Sequence, residues 1–304
     1  MRIALTGSSG MIGAALAARL EAAGHRVRRL LRTGRADEVG DPGGDAAWWN
    51  PDKGYLDAKA LEGVDAVVNL AGRPVAGRRW TAAEKARIRD SRVAGTRLLA
   101  TRMAEMRHPP SVFVSASAVG YYGSRGDLPL EETETPGTDF LAGVCRDWEA
   151  AAAPAARAGV RVVHPRFGAV LHPGGGMLAR LLPPFRLGLG GPIADGTAWL
   201  SWITLEDAVE VLGASLLKDR ITGPVNAVAP APVTNRDFTR ALAAVLRRPA
   251  VLPLPAAAVR LLFGEMGTSL LMASQRCPPA KLIRAGHAFR HPEITAALRD
   301  ILSG

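Results

Sequence analysis

The chain has 304 residues, is 48% apolar, and carries a formal net charge of +10 with a sequence pI near 10.5. This length and composition can bury a substantial core, and they suit one large α/β domain, with or without a smaller lobe. The 33 arginines are scattered along the chain against only 5 lysines, and no nucleic-acid-binding signature accompanies them. We therefore expect no nucleic-acid partner.

The cysteines and histidines indicate neither a disulfide framework nor a metal site. Cys145 and Cys277 are too few and too far apart for either, and the six histidines show no ligand spacing. Every apolar stretch is interrupted well short of a membrane-spanning length, and the first apolar strand begins at residue 3. The sequence thus favours a cytoplasmic protein without a metal and without membrane contact.

The N-terminal segment carries the most informative pattern, a short apolar strand that runs into glycines at Gly7, Gly10 and Gly13. Glycine permits the tight turn, the close approach of the backbone to a pyrophosphate, and the packing of the helix on the sheet. Residues 11–23 have helical apolar spacing and residues 26–31 read as the next strand. The pattern predicts a nucleotide-binding βαβ unit; the alternative is a purely structural glycine turn.

The end of the second strand indicates which nicotinamide cofactor is bound. NAD-binding units place a carboxylate there for the ribose 2′-hydroxyl, but residues 28–32 read RRLLR, and Arg35 follows closely. A guanidinium at this place suits a 2′-phosphate, so we expect NADP(H) rather than NAD. The alternative is that these arginines belong to a generally arginine-rich surface.

Further strands and helices alternate along the chain. We predict strands at residues 46–49, 66–70, 112–116, 161–165 and 225–228, a long helix at 91–106, and a loop-rich region at 173–197. The fold class is therefore α/β, a Rossmann-like doubly wound parallel sheet with a smaller C-terminal substrate lobe. We expect the cofactor domain over residues 1–170, with strands near 203–228 returning to it, and the lobe mainly over 171–304.

Five segments together resemble a known family. They are TGSSGMIG at 6–13, NLAG at 69–72, SASAVGYYG at 115–123, LPPFRLGLGGPI at 182–193 and WITLEDAV at 202–209. The chain resembles an extended short-chain dehydrogenase/reductase, and more narrowly the atypical epimerase family, whose members carry an RW pair (Arg79-Trp80), an SR pair (Ser91-Arg92) and a C-terminal domain of unknown function. The resemblance spans nearly the whole chain.

The resemblance implies a set of site residues. The cofactor site would comprise Gly7, Ser8, Ser9, Gly10, Met11, Ile12, Arg32, Leu70, Ala71, Gly72 and Arg166. Ser115 or Ser117 would place a hydroxyl beside the substrate carbonyl, and Ser117 is the better aligned. Arg92 and Arg166 could each face an anion.

Active members of the wider superfamily use a Tyr four residues before a Lys, which exchanges a proton near neutral pH. The expected helix at residues 140–149 contains neither residue type. The pair Tyr55 and Lys59 has the spacing but precedes the predicted strand at 66–70, and we interpret it as chance. Tyr121 and Tyr122 remain as candidate catalytic phenols beside Ser117, or as residues that shape the floor of the pocket.

Two hypotheses follow. The first is an NADP(H)-dependent oxidoreductase or epimerase-like enzyme that acts on a small polar substrate, which could be nucleotide-linked. The second, prompted by the missing Tyr and Lys, is a non-catalytic NADP(H)-binding sensor or partner-docking protein. The sequence also leaves a homodimer open, through helices at residues 91–106 and 145–156.

Overall fold

The structure, a computed structural model, describes residues 1–33 and 43–303. The strands are β1 (Arg2–Thr6), β2 (Arg26–Arg32), β3 (Ala46–Asn50), β4 (Tyr55–Leu56), β5 (Ala66–Asn69), β6 (Val112–Ser115), β7 (Ser117–Ala118), β8 (Arg161–Phe167), β9 (Ala169–Leu171), β10 (Trp199–Leu200), β11 (Trp202–Thr204), β12 (Gly223–Ala227) and β13 (Val233–Thr234). The helices are α1 (Met11–Ala22), α2 (Ala82–Ala104), α3 (Phe140–Ala150), α4 (Ala153–Arg157), α5 (Gly176–Arg186), α6 (Leu205–Leu217), α7 (Asn235–Leu246), α8 (Ala256–Leu271), α9 (Ala280–Arg284) and α10 (Ile294–Ser303). Single 3₁₀ turns span Pro51–Lys53, Ala58–Leu61 and Val119–Tyr122.

The central sheet has the strand order β12-β8-β6-β5-β1-β2-β3-β4, and β7 extends the pairing along β8. These strands pair in parallel except for the edge strand β4, which is antiparallel to β3. The strand order reverses between β1 and β5, which is the crevice where ligands bind in open α/β sheets. The predicted Rossmann-like parallel sheet is confirmed.

Apolar residues cover both faces of the sheet because successive side chains of a strand point in opposite directions. Ile3 and Leu5 pack in one buried cluster together with Leu16 of α1. Ala4, between them, belongs to the other cluster together with Leu99 of α2. Burial on both faces explains why the strand sequences are continuously apolar rather than alternating.

Helix α2 begins nine residues earlier than the sequence predicts, at Ala82 instead of residue 91. The side chain of Thr81 accepts a hydrogen bond from the amide of Glu84, which is an N-cap that satisfies one of the free amides of the first turn. The segment 82–90 is rich in charged residues, so its apolar spacing alone did not reveal the helix. The prediction of the helix was right, and its start was wrong.

The region 173–197 is also more ordered than predicted, because α5 crosses it. Pro183 and Pro184 lie in this helix, where each removes one backbone hydrogen bond. Leu178, Leu182 and Phe185 are buried along one face and pack against the C-terminal helices α7 and α10. Packing along this stripe thus outweighs the two prolines.

The C-terminal half adds a separate cluster to the sheet. Trp202, Phe238 and Leu298 are buried there, and α5, α7 and α10 surround them. Its small two-stranded sheets, β10-β13 and β9-β11, lie outside the main sheet. Within residues 1–33 and 43–303, no helix is long and apolar enough to cross a membrane.

Candidate functional site

The turn between β1 and α1 is shaped by two glycines that no other residue could replace without displacement. Gly7 has φ of 69°, and a Cβ at this position would lie 2.8 Å from the carbonyl carbon of Leu70. A Cβ on Gly13 would lie 2.1 Å from the carbonyl oxygen of Gly7. The first turn of α1 is therefore packed directly against this loop, and the loop against the turn that follows β5.

The N-terminus of α1 is open to an anion. Gly10 is its N-cap residue, without a capping side chain, and no acidic residue lies in the first turn. The amides of Met11 and Ile12 have no intrahelical acceptor at this end of the helix, and the helix dipole adds positive charge there. Ser8 is partly buried and Ser9 is exposed beside it. This cradle fits the pyrophosphate of a dinucleotide.

The turn after β5 is fixed by a buried polar network. The hydroxyl of Thr6 donates to Asn69 Oδ1 at 2.6 Å and accepts from the amides of Leu70 and Ala71 at 3.1 and 3.2 Å. Asn69 Nδ2 in turn donates to the hydroxyl of Thr96 on α2 at 2.8 Å. The NLAG segment is thereby held against the glycine loop, at the same edge of the sheet.

Arg32 lies at the end of β2 beside a cavity of about 400 Å³ that is lined by Arg32, Thr33, Asn50, Asp52 and Lys53. The sequence predicted no carboxylate at this place, yet Asp52 comes in from the loop after β3 and forms an ion pair with Arg32. Both side chains are more than half exposed, so the pair is weak and can rearrange around a ligand. Arg35 lies outside the described residues.

Ser117 lies at the opposite end of the same edge, where β7 meets β8. Its hydroxyl donates to Glu149 Oε1 at 2.7 Å. Arg166 of β8 donates to the two oxygens of Glu149 through Nε and Nη2, both at 2.8 Å. Ser117 and Arg166 are 3% and 2% exposed, so this is a buried, bidentate ion pair with a serine attached.

The two neighbouring phenols have different environments. Tyr122 is fully buried; its hydroxyl donates to Asn226 Oδ1 at 2.7 Å and accepts from Arg166 Nη1 at 2.9 Å. Burial raises the pKa of Tyr122 well above its ordinary value. Tyr121 is partly exposed, packs its ring on the Arg166 guanidinium at 3.5 Å, and has no hydrogen-bond partner for its hydroxyl in the described residues.

Comparisons with known proteins agree with this arrangement. Residues 3–227 match the model of the NAD dependent epimerase/dehydratase family, and residues 254–301 match a domain of unknown function, DUF1731. The chain belongs to the epimerase family. An epimerase family protein of Mycobacterium bovis is 45% identical over 97% of this chain and 96% of its own length.

Two solved structures of similar proteins support the same assignment. The crystal structure of human epimerase family protein SDR39U1 (isoform 2) with NADPH has a TM-score of 0.89 and 34% identity, and it covers 100% of both chains. A nucleoside-diphosphate sugar epimerase from Corynebacterium glutamicum has a TM-score of 0.80 and 38% identity. The match covers 99% of this chain and 58% of that longer protein.

The helix on which a Tyr-Lys pair would be expected is α3, which lies wholly within the described residues. Helix α3 contains neither residue type, as the sequence indicates. Tyr55 is on β4 and Lys59 is in the 3₁₀ turn that follows. Five strand spacings separate β4 from β6, which is roughly 24 Å at about 4.8 Å each. Tyr55 and Lys59 are therefore remote from Ser117.

Two residues that the sequence singled out, Arg166 and Tyr122, make contacts within the protein itself. Arg166 donates to Glu149, Tyr122 and the carbonyl of Glu132 and holds the Glu149 carboxylate in place, and its role towards the cofactor stays a prediction. The hydroxyl of Tyr122 is buried and already makes two hydrogen bonds, which argues against a role as proton donor.

Sequence reasoning missed Glu149, Asp52 and Asn226. Glu149 had a detectable signal, because it follows Ala142 and Cys145 by helical spacing on the buried face of α3. A carboxylate on such a stripe is expected to have a buried partner. Asp52 and Asn226 had no such signal, since each reaches the site from a distant part of the chain.

The family-like segment that contains Asp207 is structural. Asp207 is 1% exposed and accepts from the amides of Arg290 and His291 at 2.8 and 3.0 Å. Glu206, His291 and Asp300 lie close enough to hold a metal ion, but Glu206 is paired with Arg290, and His291 Nε2 lies 2.8 Å from Asp300. These contacts fasten the C-terminal segment to α6.

Proposed function

We propose that this chain is an NADP(H)-binding oxidoreductase or epimerase-like enzyme that places a small polar substrate against Ser117 and Tyr121. The contact between Ser117 and Glu149 carries the proposal. It provides a polarised hydroxyl at the carboxyl edge of the sheet that also holds the glycine loop, which is where ligands collect in open parallel sheets.

NADP(H) is proposed as the cofactor because of two groups of residues, one at the N-terminus of α1 and one at the ends of β2 and β3. The uncapped N-terminus of α1 suits the pyrophosphate. Arg32 and Lys53 line the cavity at the ends of β2 and β3, where their positive charges would meet a 2′-phosphate. The NADPH in the human relative's crystal structure supports this choice.

The proposed proton path uses side chains of this chain alone. Because Ser117 donates its proton to Glu149, its oxygen can act as the acceptor towards a substrate hydroxyl. As the substrate gives up its hydroxyl proton, this proton passes to Ser117 Oγ while the proton of Ser117 passes to Glu149 Oε1. Arg166 keeps the carboxylate aligned, and Tyr121 orients the substrate with its free hydroxyl. The nicotinamide, when bound, would exchange a hydride with the substrate carbon.

The first experiment tests the cofactor. Calorimetric titration with NADPH, NADP⁺, NADH and NAD⁺ should show binding that depends on the 2′-phosphate. Arg32→Ala should weaken NADPH by about 10-fold or more and leave NADH nearly unchanged. Arg29→Ala, on the same strand but paired with Glu21 on α1, is the matched control. Equal affinities for NADPH and NADH would contradict the proposal.

The second experiment tests the chemistry. Protein loaded with NADPH is mixed with a panel of small carbonyl compounds, and loss of the NADPH absorbance above the protein-free rate identifies an acceptor. Ser117→Ala and Glu149→Gln should then lower turnover by about 10²-fold or more, the usual contribution of a positioned acid or base. Unchanged rates in both variants would remove their proposed roles.

A second candidate function is a non-catalytic NADP(H) sensor. It is favoured by the absence of Tyr and Lys from α3 and by the Cys145 thiol, whose pKa burial raises to about 12, so that it is inert at neutral pH. Tight NADPH binding without oxidation by any member of the panel would support this alternative over the enzyme.

A further inference from the structure

One arginine at the site has no acidic partner among the described residues. Arg92 of α2 donates from Nη1 to the carbonyl oxygens of Arg73 and Ile88, at 2.8 and 3.0 Å. These neutral acceptors fix the guanidinium but do not neutralise it. Its Nε and Nη2 have no hydrogen-bond partner in residues 1–33 and 43–303, and neither is among the fully sealed, unpaired polar atoms there, so both keep some exposed surface.

The acidic groups near Arg92 are either engaged or uncharged. Glu84 is bound by Arg73 at 2.6 Å, with Arg87 at 3.6 Å. Glu149 is bound by Arg166. Cys145 is a neutral thiol at pH 7, because burial raises its pKa to about 12. An arginine keeps its charge in proteins even where burial lowers its pKa, as it does for Arg92.

Arg92 lies between the turn after β5, which backs the glycine loop, and helix α3, which carries Glu149. A Cβ on Gly72, in the turn that backs the cofactor cradle, would lie 3.2 Å from Arg92 Cζ. On its other side, the guanidinium lies 5.2 Å from the ring of Trp148 on α3. Trp148 directly precedes Glu149, the partner of Ser117. Arg92 and Ser117 thus contact neighbouring positions of α3.

We propose that Arg92 binds an anionic group of the substrate, a carboxylate or a phosphate, while the reacting carbon lies beside Ser117. The argument is one of charge, since a partly buried cation without a counter-ion is costly until a ligand supplies the negative charge. The guanidinium presents two free donors, which is the geometry that a carboxylate or phosphate accepts. The inference rests on the proposed function in placing the substrate at Ser117.

Calorimetric titration with oxalate and with inorganic phosphate, each added to NADPH-saturated protein, tests the inference. Arg92→Gln should weaken oxalate or phosphate binding by about 10-fold or more, and Arg92→Lys by less, because the charge remains. Arg97→Gln removes the same charge from an exposed position on the same helix and should change nothing. The affinity for NADPH should stay within about 2-fold in all three variants.

Two results would overturn the inference. The first is the absence of saturable binding of either anion to the wild type, or equal binding to Arg92→Gln. The second is a parallel loss of NADPH affinity in Arg92→Gln, which would assign the cation to the cofactor pyrophosphate. Failure of the wild type to bind NADPH is a separate outcome that overturns the proposed function, and the anions can then be titrated into the protein alone.

Discussion

The glycine end of the site is built from backbone, whereas the Ser117 end is built from buried side chains. At the first end, Gly7 and Gly13 bring three stretches of main chain within contact distance, and the anion-binding groups are amides. At the second end, Glu149 binds Ser117, 32 positions before it, and Arg166, 17 positions after it. Tyr122 binds Asn226, which lies 104 positions further along the chain. We therefore expect the glycine end to be sensitive to added side-chain atoms and the Ser117 end to be sensitive to the loss of a charged side chain.

Breaking the buried ion pair should have the largest effect on stability. Arg166→Met would leave the largely buried carboxylate of Glu149 without its partner, at a cost of up to about 3–5 kcal/mol in the free energy of unfolding. Urea denaturation measures this cost, and the double variant with Glu149→Gln should recover most of it. Arg19→Met, which breaks the exposed pair with Glu210, should cost less than about 1 kcal/mol. Equal costs for the two arginines would contradict the comparison.

Adding one methyl group tests the backbone end. Gly13→Ala should displace the loop, because the new Cβ would lie 2.1 Å from the carbonyl oxygen of Gly7. Overpacking of this kind costs about 1–3 kcal/mol, or roughly 5- to 150-fold in NADPH affinity if the cost falls on the cradle. Calorimetry with NADPH measures the loss.

The control for this variant is Gly213→Ala on α6, where a Cβ meets nothing within 4 Å. Its NADPH affinity should be unchanged, and its stability should rise by about 0.5–1 kcal/mol, the helix preference of Ala over Gly. Undiminished NADPH binding by Gly13→Ala would show that the cradle is more adaptable than its contacts indicate.

The two adjacent tyrosines provide an internal comparison at the side-chain end. Tyr122→Phe removes a buried hydroxyl and leaves Asn226 Oδ1 without its donor, which should cost about 1–3 kcal/mol in stability. Tyr121→Phe should stay within about 0.5 kcal/mol, since its hydroxyl has no partner in the described part of the chain. Thermal or urea unfolding of both variants checks this, and the reverse order would contradict the assigned environments.

The smallest expected effect concerns pH. Burial lowers the pKa of His164, which lies on β8 with Nδ1 at 3.3 Å from the carbonyl oxygen of Ser115. The unfolded chain binds the proton more readily, so this stability is present above about pH 6.5 and is lost as the pH falls towards the folded pKa. The slope is at most about 1.4 kcal/mol per pH unit.

Urea unfolding at about pH 7.5 and about pH 5.5 measures this dependence. His164→Gln keeps the size and polarity but cannot titrate, so the difference in stability between the two pH values should shrink. His108→Gln, at an exposed position, should leave the wild-type difference intact. An unchanged difference in His164→Gln would mean that other groups dominate this pH range.

Much of the fold followed from local patterns, and the errors arose where packing overruled them. The seven strands predicted individually match β1, β2, β3, β5, β6, β8 and β12 to within two residues, because apolar runs bounded by turn residues are a local property, whereas short strands such as β4, β7 and β10 were not predicted. Helix α2 starts at the capping hydroxyl of Thr81. The sequence does not reveal this start because the first turns of the helix carry mostly charged residues and little apolar spacing. Helix α5 persists through Pro183 and Pro184 because the C-terminal helices cover its apolar stripe.

The sequence by itself determined the βαβ cofactor motif, the parallel sheet and the family, because these depend on residue types at short, regular spacings. Only the tertiary structure decided that Arg166 pairs with Glu149, that the hydroxyl of Tyr122 is buried, that Asp52 pairs with Arg32, and that Arg92 has no counter-ion in the part of the chain that the structure describes. Charge pairing depends on which side chains meet in space. That information is absent from a single sequence when the partners lie tens of residues apart.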